Sequence, residues 1–336
     1  MFRNNISLKP FNTFGIDVNA NRFAAFSSVE ELNSLLSQRE ANEPLLILGG
    51  GSNLLLTKDF NGLVLKNEIL GFNLIEETDT EVIVEAGAGE VWHQFVMNCI
   101  ENGYAGLENL SLIPGSVGAS PMQNIGAYGV EIKDAFEYLD AFEISTGELK
   151  RFKKEDCQFG YRESVFKNIY KDQFVICRVA FRLSKNPKIN TSYGAIESEL
   201  QKMGISEPTI RDVSNAVIAI RQSKLPDPAV LGNAGSFFKN PVVDESLVEK
   251  IKATNPDVPN YPAESGKRKL AAGWLIETSG WKGKVVETCG VHKLQALVLV
   301  NYGGSTGKQI YDLSSQIIND VEAKFGVKLE REVNIL

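Results

Sequence analysis

The sequence predicts a chain of mixed strands and helices, divided into two or three domains, that binds an anionic ligand on glycine-rich loops. Three observations predict this. At 336 residues the chain exceeds the ~250–300 residues at which a single core stops growing. Short apolar runs alternate with amphipathic stretches along its whole length. Two long glycine segments fit neither common nucleotide-binding fingerprint.

The elements follow in chain order. In Ser27-Ser28-Val29-Glu30-Glu31 each serine has a glutamate three residues on, the spacing of a capping box, and Val29, Leu32, Leu35 and Leu36 then share one helical face. Pro44-Leu45-Leu46-Ile47-Leu48 is a short apolar run ending in glycines, which predicts a buried strand. A helix is expected over 90–101, with Val91, Phe95, Val96 and Cys99 inward and Gly103 near its stop. Residues 138–152 predict a hairpin turning near Thr146-Gly147, and 174–183 another strand. Over 209–224, Ile210, Val213, Val217 and Ile220 form one helical stripe, and Pro226 forces the exit. A further amphipathic helix is expected over 309–325, followed by Gly326. The last strand, 327–333, places Glu330 and Glu332 on one face. Pro226-Asp227-Pro228 marks a domain boundary, and a second falls near Asn67.

Composition narrows the function. Lys and Arg number 35 against 42 Asp and Glu, a net charge of −7, which disfavours bare nucleic acid as a partner. Within that acidic chain, Lys267-Arg268-Lys269 is a local basic cluster suited to phosphate. No segment reaches the ~18 apolar residues of a membrane span, and residues 1–10 lack the apolar core of a secretory signal. Cys99, Cys157, Cys177 and Cys289 are far apart and read as reduced thiols of a cytosolic protein. With only His93 and His292, a histidine-rich metal centre cannot be built; each histidine reads as a packing or hydrogen-bonding residue, and no metal is expected.

The first glycine segment is Gly49-Gly50-Gly51-Ser52-Asn53; the second runs Ile113-Pro114-Gly115-Ser116-Val117-Gly118-Ala119 and then Gln123-Asn124-Ile125-Gly126-Ala127-Tyr128-Gly129. Leu54 stands where a Rossmann fingerprint needs its third glycine. Gly303-Gly304-Ser305-Thr306-Gly307-Lys308 has the wrong spacing for a P-loop, with Gln309 in place of Ser or Thr. Each segment is either a turn needing glycine for geometry alone or a nest of converging N–H groups, and a pyrophosphate matches such a nest.

In Gly232-Asn233-Ala234-Gly235-Ser236-Phe237-Phe238-Lys239-Asn240-Pro241, a serine is held between a glycine and an aromatic pair. The GxSxG elbow is absent and histidine is scarce, so Ser236 reads as a proton donor rather than a nucleophile. Ser164-Val165-Phe166-Lys167 has SxxK spacing without the motifs that accompany it in acyl enzymes. Arg162 and Glu332 are candidate partners for an enolate oxygen. The plainer alternatives are a turn cap for Ser236, a surface ion pair for Arg162 and a solvated strand residue for Glu332.

Several strings in order, Ser7-Leu8-Lys9-Pro10-Phe11-Asn12-Thr13-Phe14-Gly15, Gly106-Leu107-Glu108-Asn109-Leu110, the two glycine segments, Phe159-Gly160-Tyr161-Arg162, Lys224-Leu225-Pro226-Asp227-Pro228 and Gly235–Pro241, resemble the UDP-N-acetylenolpyruvoylglucosamine reductase family, type I branch, over nearly the whole chain. The resemblance implies an α+β fold of the vanillyl-alcohol-oxidase (PCMH) FAD-binding type. Its two FAD-binding subdomains would span 1–66 (with 330–336) and 67–222, and a third α/β domain, 223–329, would bind the UDP sugar. It implies FAD held by Gly49, Gly50, Gly51, Ser52, Asn53, Ile113, Pro114, Gly115, Ser116, Gly118, Ala119, Gln123, Asn124, Gly126, Ala127 and Gly129, with Arg221 near the flavin. Ser236 would protonate the substrate carbon while Arg162 and Glu332 stabilise the enolic intermediate. Tyr161, Tyr193, Lys224, Asn240, Tyr261, Lys269 and Gln295 would contact the UDP sugar. The implied activity is NADPH-dependent reduction of UDP-N-acetylglucosamine enolpyruvate in peptidoglycan precursor synthesis, by a cytoplasmic monomer with no nucleic-acid or membrane partner. The alternatives are an FAD-dependent oxidase of the same fold acting on a sugar or phenolic alcohol, and a non-catalytic nucleotide-binding protein. The chain stops four residues after Glu332, where some family members continue.

Overall fold

A computed structural model describes residues 1–336, which group into two compact units. One unit comprises Met1–Ile6, Ala20–Gly50 and Asn61–Ser223; the other comprises Ser7–Asn19, Gly51–Phe60 and Lys224–Leu336.

The first unit is built on two sheets. A four-stranded sheet has the order Arg3–Ser7, Asn19–Phe26, Phe60–Asn67, Leu45–Leu48, its last pair parallel. The helix Val29–Leu36 begins as the capping spacing predicts: Ser28 accepts from the Glu31 N–H, and the Glu31 carboxylate takes the Ser27 N–H at 2.7 Å. Its Leu32 and Leu35 pack with Ala24, Phe26, Leu63 and Leu65. The second sheet is antiparallel throughout, in the order Leu149–Lys153, Phe136–Glu143, Phe174–Ser184, Glu81–Gly87, Phe72–Glu77. In its central strand Val175 and Cys177 face one apolar cluster, whereas Ile176, Val179, Phe181 and Leu183 face another. Side chains alternate strictly in a regular strand, so this parity change needs an extra residue. It is supplied where Asp140 pairs with Arg178 but Ala141 pairs with Ile176, a bulge at Cys177.

The helix expected over 90–101 spans Trp92–Glu101. Val91, expected inward, is 61% exposed, and Trp92 takes the buried place. The reason lies in the preceding residue. The Glu90 carboxylate accepts the Gly71 N–H at 2.8 Å and its carbonyl accepts the Val117 N–H, which holds Glu90 outside the helix and delays the first turn. Helix Ile210–Lys224 forms as predicted, burying Ile210, Val213, Val217 and Ile220.

The second unit packs Phe14, Ile16 and Leu55 with residues of helices Glu245–Thr254, Ala272–Thr278 and Gly307–Phe325. The last helix starts two residues earlier than expected, because Thr306 and Gln309 form a reciprocal capping box, and it ends at left-handed Gly326 (φ 67°). Two three-stranded antiparallel sheets complete the unit: Val242–Asp244, Lys267–Leu270, Asn260–Pro262, and Val285–Val286, Cys289–Val291, Leu299–Asn301. The strand expected over 327–333 does not form as such: Val327, Leu329 and Val333 are buried, but the pairing is a single bridge, Phe238 to Arg331, and the chain bends at Val333. Regular strand returns only at Asn334–Ile335, parallel to Leu54–Leu55, with the Thr57 N–H donating to the Leu336 carbonyl at 2.7 Å.

All four cysteines are buried and unbridged; burial pushes the Cys177 thiol up to about 11 and Cys157 up to about 12, so neither is a nucleophile at neutral pH. No helix is long and apolar enough to cross a membrane.

Candidate active site

In the first unit the two glycine segments meet. A Cβ on Gly50 would lie 2.8 Å from the Gly115 Cα, and one on Gly49 would lie 2.6 Å from the Ser116 hydroxyl. Real Cβ atoms do not approach backbone this closely, so the contact with Gly115 requires glycine at position 50, whereas the hydroxyl facing Gly49 ends a side chain that can turn away. Gly115 itself has φ +118°, outside the range of side-chain-bearing residues. A Cβ on Gly118 would meet Ala88 at 2.4 Å, and the Gly118 N–H donates to the Ala88 carbonyl. Gly51 has a different constraint, within the second unit: at φ +64° its Cβ would fall 2.0 Å from the Phe11 carbonyl oxygen.

Positive charge sits in the same unit as this cradle. Arg221 is half-buried, its Nε donating to the Leu112 carbonyl at 3.2 Å and its guanidinium near the Tyr128 side chain. No carboxylate of the unit pairs with it, and burial lowers its pKa. A partly desolvated cation without a carboxylate partner suits a negatively charged ligand. Tyr128 is presented by a two-residue turn, Tyr128 (φ 50°) and Gly129 (φ 80°), joining Gly126–Ala127 to Val130–Glu131. An adjacent glycine cradle and a half-buried guanidinium with no carboxylate partner fit the pyrophosphate and flavin of the FAD that the resemblance implies.

Arg162 docks on that same hairpin, donating from Nη2 to the Gly126 carbonyl at 2.6 Å. Its own backbone is left-handed (φ 57°), which costs a non-glycine residue roughly 1–2 kcal/mol and persists only when surroundings impose it. Asn124 provides much of that imposition. Fully buried and itself left-handed, it donates from Nδ2 to Glu131 and to the Gly160 carbonyl, each at 3.0 Å, and accepts the Lys133 N–H at 3.1 Å. It thereby ties the hairpin to the Phe159–Arg162 segment. The Tyr161 ring lies 5.3 Å from the Arg162 guanidinium carbon, and exposed Tyr193 stacks edge-on against Tyr128 at 5.3 Å.

In the second unit Ser236 lies on a short extended segment held on both sides. Ser236 bridges Val298, the Phe237 N–H donates to the Leu297 carbonyl at 2.7 Å, and the Glu332 N–H donates to the Phe237 carbonyl at 2.8 Å. Phe237 and Phe238 are buried beneath it, and left-handed Gly235 sets the turn before it. Ser236 and Glu332, 96 positions apart in sequence (332 − 236), are thus within one residue of each other across a ladder. Asn53 donates to the Glu332 carbonyl at 3.5 Å. Tyr261 and Lys269 are cross-strand partners, Asn240 accepts the Ala272 N–H at 2.9 Å, and the Gln295 Oε1 lies 3.4 Å from a Cβ built on Gly273. Lys224 ends its helix and is exposed. Of the cradle's further residues, Ile113 and Ala127 pack on the first unit's core, Ala119 closes a short 3-10 turn, and Pro114, Gln123 and Ser52 flank the glycines. Sequence reasoning missed Tyr128, whose signal was its place at the tip of a glycine turn.

Comparisons with known proteins agree with this architecture. A family model described as UDP-N-acetylenolpyruvoylglucosamine reductase, C-terminal domain, matches residues 227–336, and one described as FAD binding domain matches 20–153. The UDP-N-acetylenolpyruvoylglucosamine reductase of Flavobacterium johnsoniae is 55% identical over 99% of both chains. That of Pseudomonas aeruginosa is 52% identical, covering 98% of this chain and 97% of its own. The crystal structure of the Thermus caldophilus UDP-N-acetylenolpyruvylglucosamine reductase superposes with a TM-score of 0.71 at 24% identity, covering 100% of this chain and 99% of that one, which shows a shared α+β fold. With the FAD-binding match and identity above half from end to end, the chain belongs to the UDP-N-acetylenolpyruvoylglucosamine reductase family.

Proposed function

We infer that this chain is an FAD-dependent oxidoreductase that uses NADPH to reduce UDP-N-acetylglucosamine enolpyruvate to UDP-N-acetylmuramate, a step of peptidoglycan precursor synthesis. The observation that carries the reading is the 55% identity with a reductase of that name over 99% of both chains. FAD, once bound, would supply hydride chemistry between NADPH and the enolpyruvyl group.

The chain's own residues supply position, charge and a proton. The Gly49–Gly50 and Gly115–Gly118 backbones hold the pyrophosphate, and Arg221 offsets negative charge beside it. Ser236 Oγ gives its proton to the carboxylate-bearing carbon, a transfer that requires a hydroxyl fixed within ~2.6–3.2 Å of that carbon. Support for this role is the ladder that grips Ser236 on both sides. Arg162 and Glu332 stabilise the enolic oxygen. Tyr161, Tyr193, Lys224, Asn240, Tyr261, Lys269 and Gln295 contact the UDP sugar; the cross-strand pairing of Tyr261 with Lys269 supports one such cluster. The enzyme works as a cytoplasmic monomer on small anionic substrates.

Steady-state NADPH oxidation tests the activity. Consumption is expected only when the UDP sugar is present, with UDP-N-acetylmuramate accumulating mole for mole. Oxygen uptake with simple sugars or phenolic alcohols, without any NADPH requirement, would instead identify an oxidase.

A further inference from the structure

We propose that His93 is a positioning residue for the FAD site: its Nδ1, by accepting the Leu112 N–H, holds Leu112 in a left-handed conformation and presets the glycine loop that follows. The role rests on the FAD reading above and deepens it.

Leu112 has φ +59°, a conformation that a leucine adopts only when neighbours impose it. Two side chains do so. The Leu112 N–H donates to His93 Nδ1 at 3.0 Å, and the Leu112 carbonyl accepts from Arg221 Nε at 3.2 Å. Both sides of this residue are therefore clamped, one by a histidine and one by the Arg221 guanidinium. The loop is also anchored before and after: Trp92 Nε1 donates to the Leu110 carbonyl at 2.9 Å, and the Trp92 N–H donates to the Gly115 carbonyl at 3.0 Å. Leu112 is the bend between these anchors. Its φ sets the direction in which residues 113–116 leave, and hence where Gly115 and Ser116 come to rest on Gly50 and Gly49.

The bond also fixes the state of the ring. Nδ1 can accept only as a lone pair, so the imidazole is neutral with its hydrogen on Nε2. Burial and the nearby Arg221 charge push the His93 pKa down, which keeps that lone pair available at neutral pH. Preformed N–H groups cost no reorganisation when an anion arrives, so loosening Leu112 is read as weaker FAD binding.

Three variants of the full chain test this. Asn places Oδ1 where His has Nδ1, Gln moves the acceptor one bond outward, and Leu removes it. His93→Leu and His93→Gln are expected to raise the FAD Kd about tenfold, the value of one net hydrogen bond, with His93→Asn within about threefold of wild type. Amide exchange at Leu112, followed before FAD is added, is expected to speed up about tenfold in the Leu and Gln variants and stay slow in Asn. The Asn–Gln contrast keeps the test sharp even where His93→Leu does not fold. Unchanged FAD affinity in His93→Gln, or equal loss in Asn and Gln, would overturn the proposal while leaving the FAD reading intact. A wild-type chain that takes up no FAD would overturn both, whatever Leu112 exchange shows.

Discussion

Ser236→Ala is expected to leave NADPH-dependent loss of flavin absorbance at the wild-type rate while lowering turnover of UDP-N-acetylglucosamine enolpyruvate by at least ~10²-fold, the lower end for a lost general acid. In energy this is about 2.7 kcal/mol of transition-state stabilisation. The separation of the two effects is the point. The segment carrying Ser236 is fixed by backbone bonds to Leu297, Val298 and Glu332 and by the buried Phe237 and Phe238. Removing one hydroxyl from so rigid a segment leaves neighbouring side chains where they are. FAD affinity and the melting temperature should therefore hold while the proton transfer fails. Rapid-mixing absorbance gives the first half-reaction and product formation gives the second. Turnover within about threefold of wild type would remove Ser236 from the chemistry.

Gly50→Ala is expected to weaken FAD binding about 10–100-fold, whereas Gly49→Ala changes it little. The difference follows from what each new methyl meets. At Gly50 it meets Gly115 backbone, Cα at 2.8 Å and carbonyl carbon at 3.1 Å, which can yield only by moving the second loop. Overpacking of that kind costs about 1–3 kcal/mol, and here the cost falls on the loop pair proposed to hold FAD. At Gly49 it meets the Ser116 hydroxyl at 2.6 Å, the end of a side chain that can rotate away. FAD titration of the two variants checks the ranking; equal affinities would mean that the cradle is not where FAD binds.

Much of the local structure was legible because it rests on local chemistry. The Ser28–Glu31 cap, the Gly147 turn, the stripe of Ile210, Val213, Val217 and Ile220, and the Pro226 exit each depend on residues a few positions apart. What was not legible depends on distant partners. Val91 points outward because Glu90 is held by Gly71 and Val117. The bulge at Cys177 changes which face each later residue serves, and no single-strand pattern encodes it. The final segment alternates correctly yet finds a ladder only at Phe238 and at Leu54–Leu55. For the candidate site, sequence pointed to both glycine segments and to Ser236, Arg162 and Glu332 as residue types. It could not show that Gly50 backs onto Gly115, that Glu332 lies beside the Ser236 segment, or that Arg162 and Leu112 are left-handed. Those are consequences of tertiary packing overriding local preference.

Two half-reactions passing through one FAD site are the central claim, and an anaerobic absorption spectrum of the purified full chain tests it most directly. An oxidised-flavin spectrum is expected, which NADPH bleaches and UDP-N-acetylglucosamine enolpyruvate then restores, mole for mole, without oxygen. A colourless chain that takes up no FAD, or a bleached flavin that recovers only when air is admitted, would contradict it.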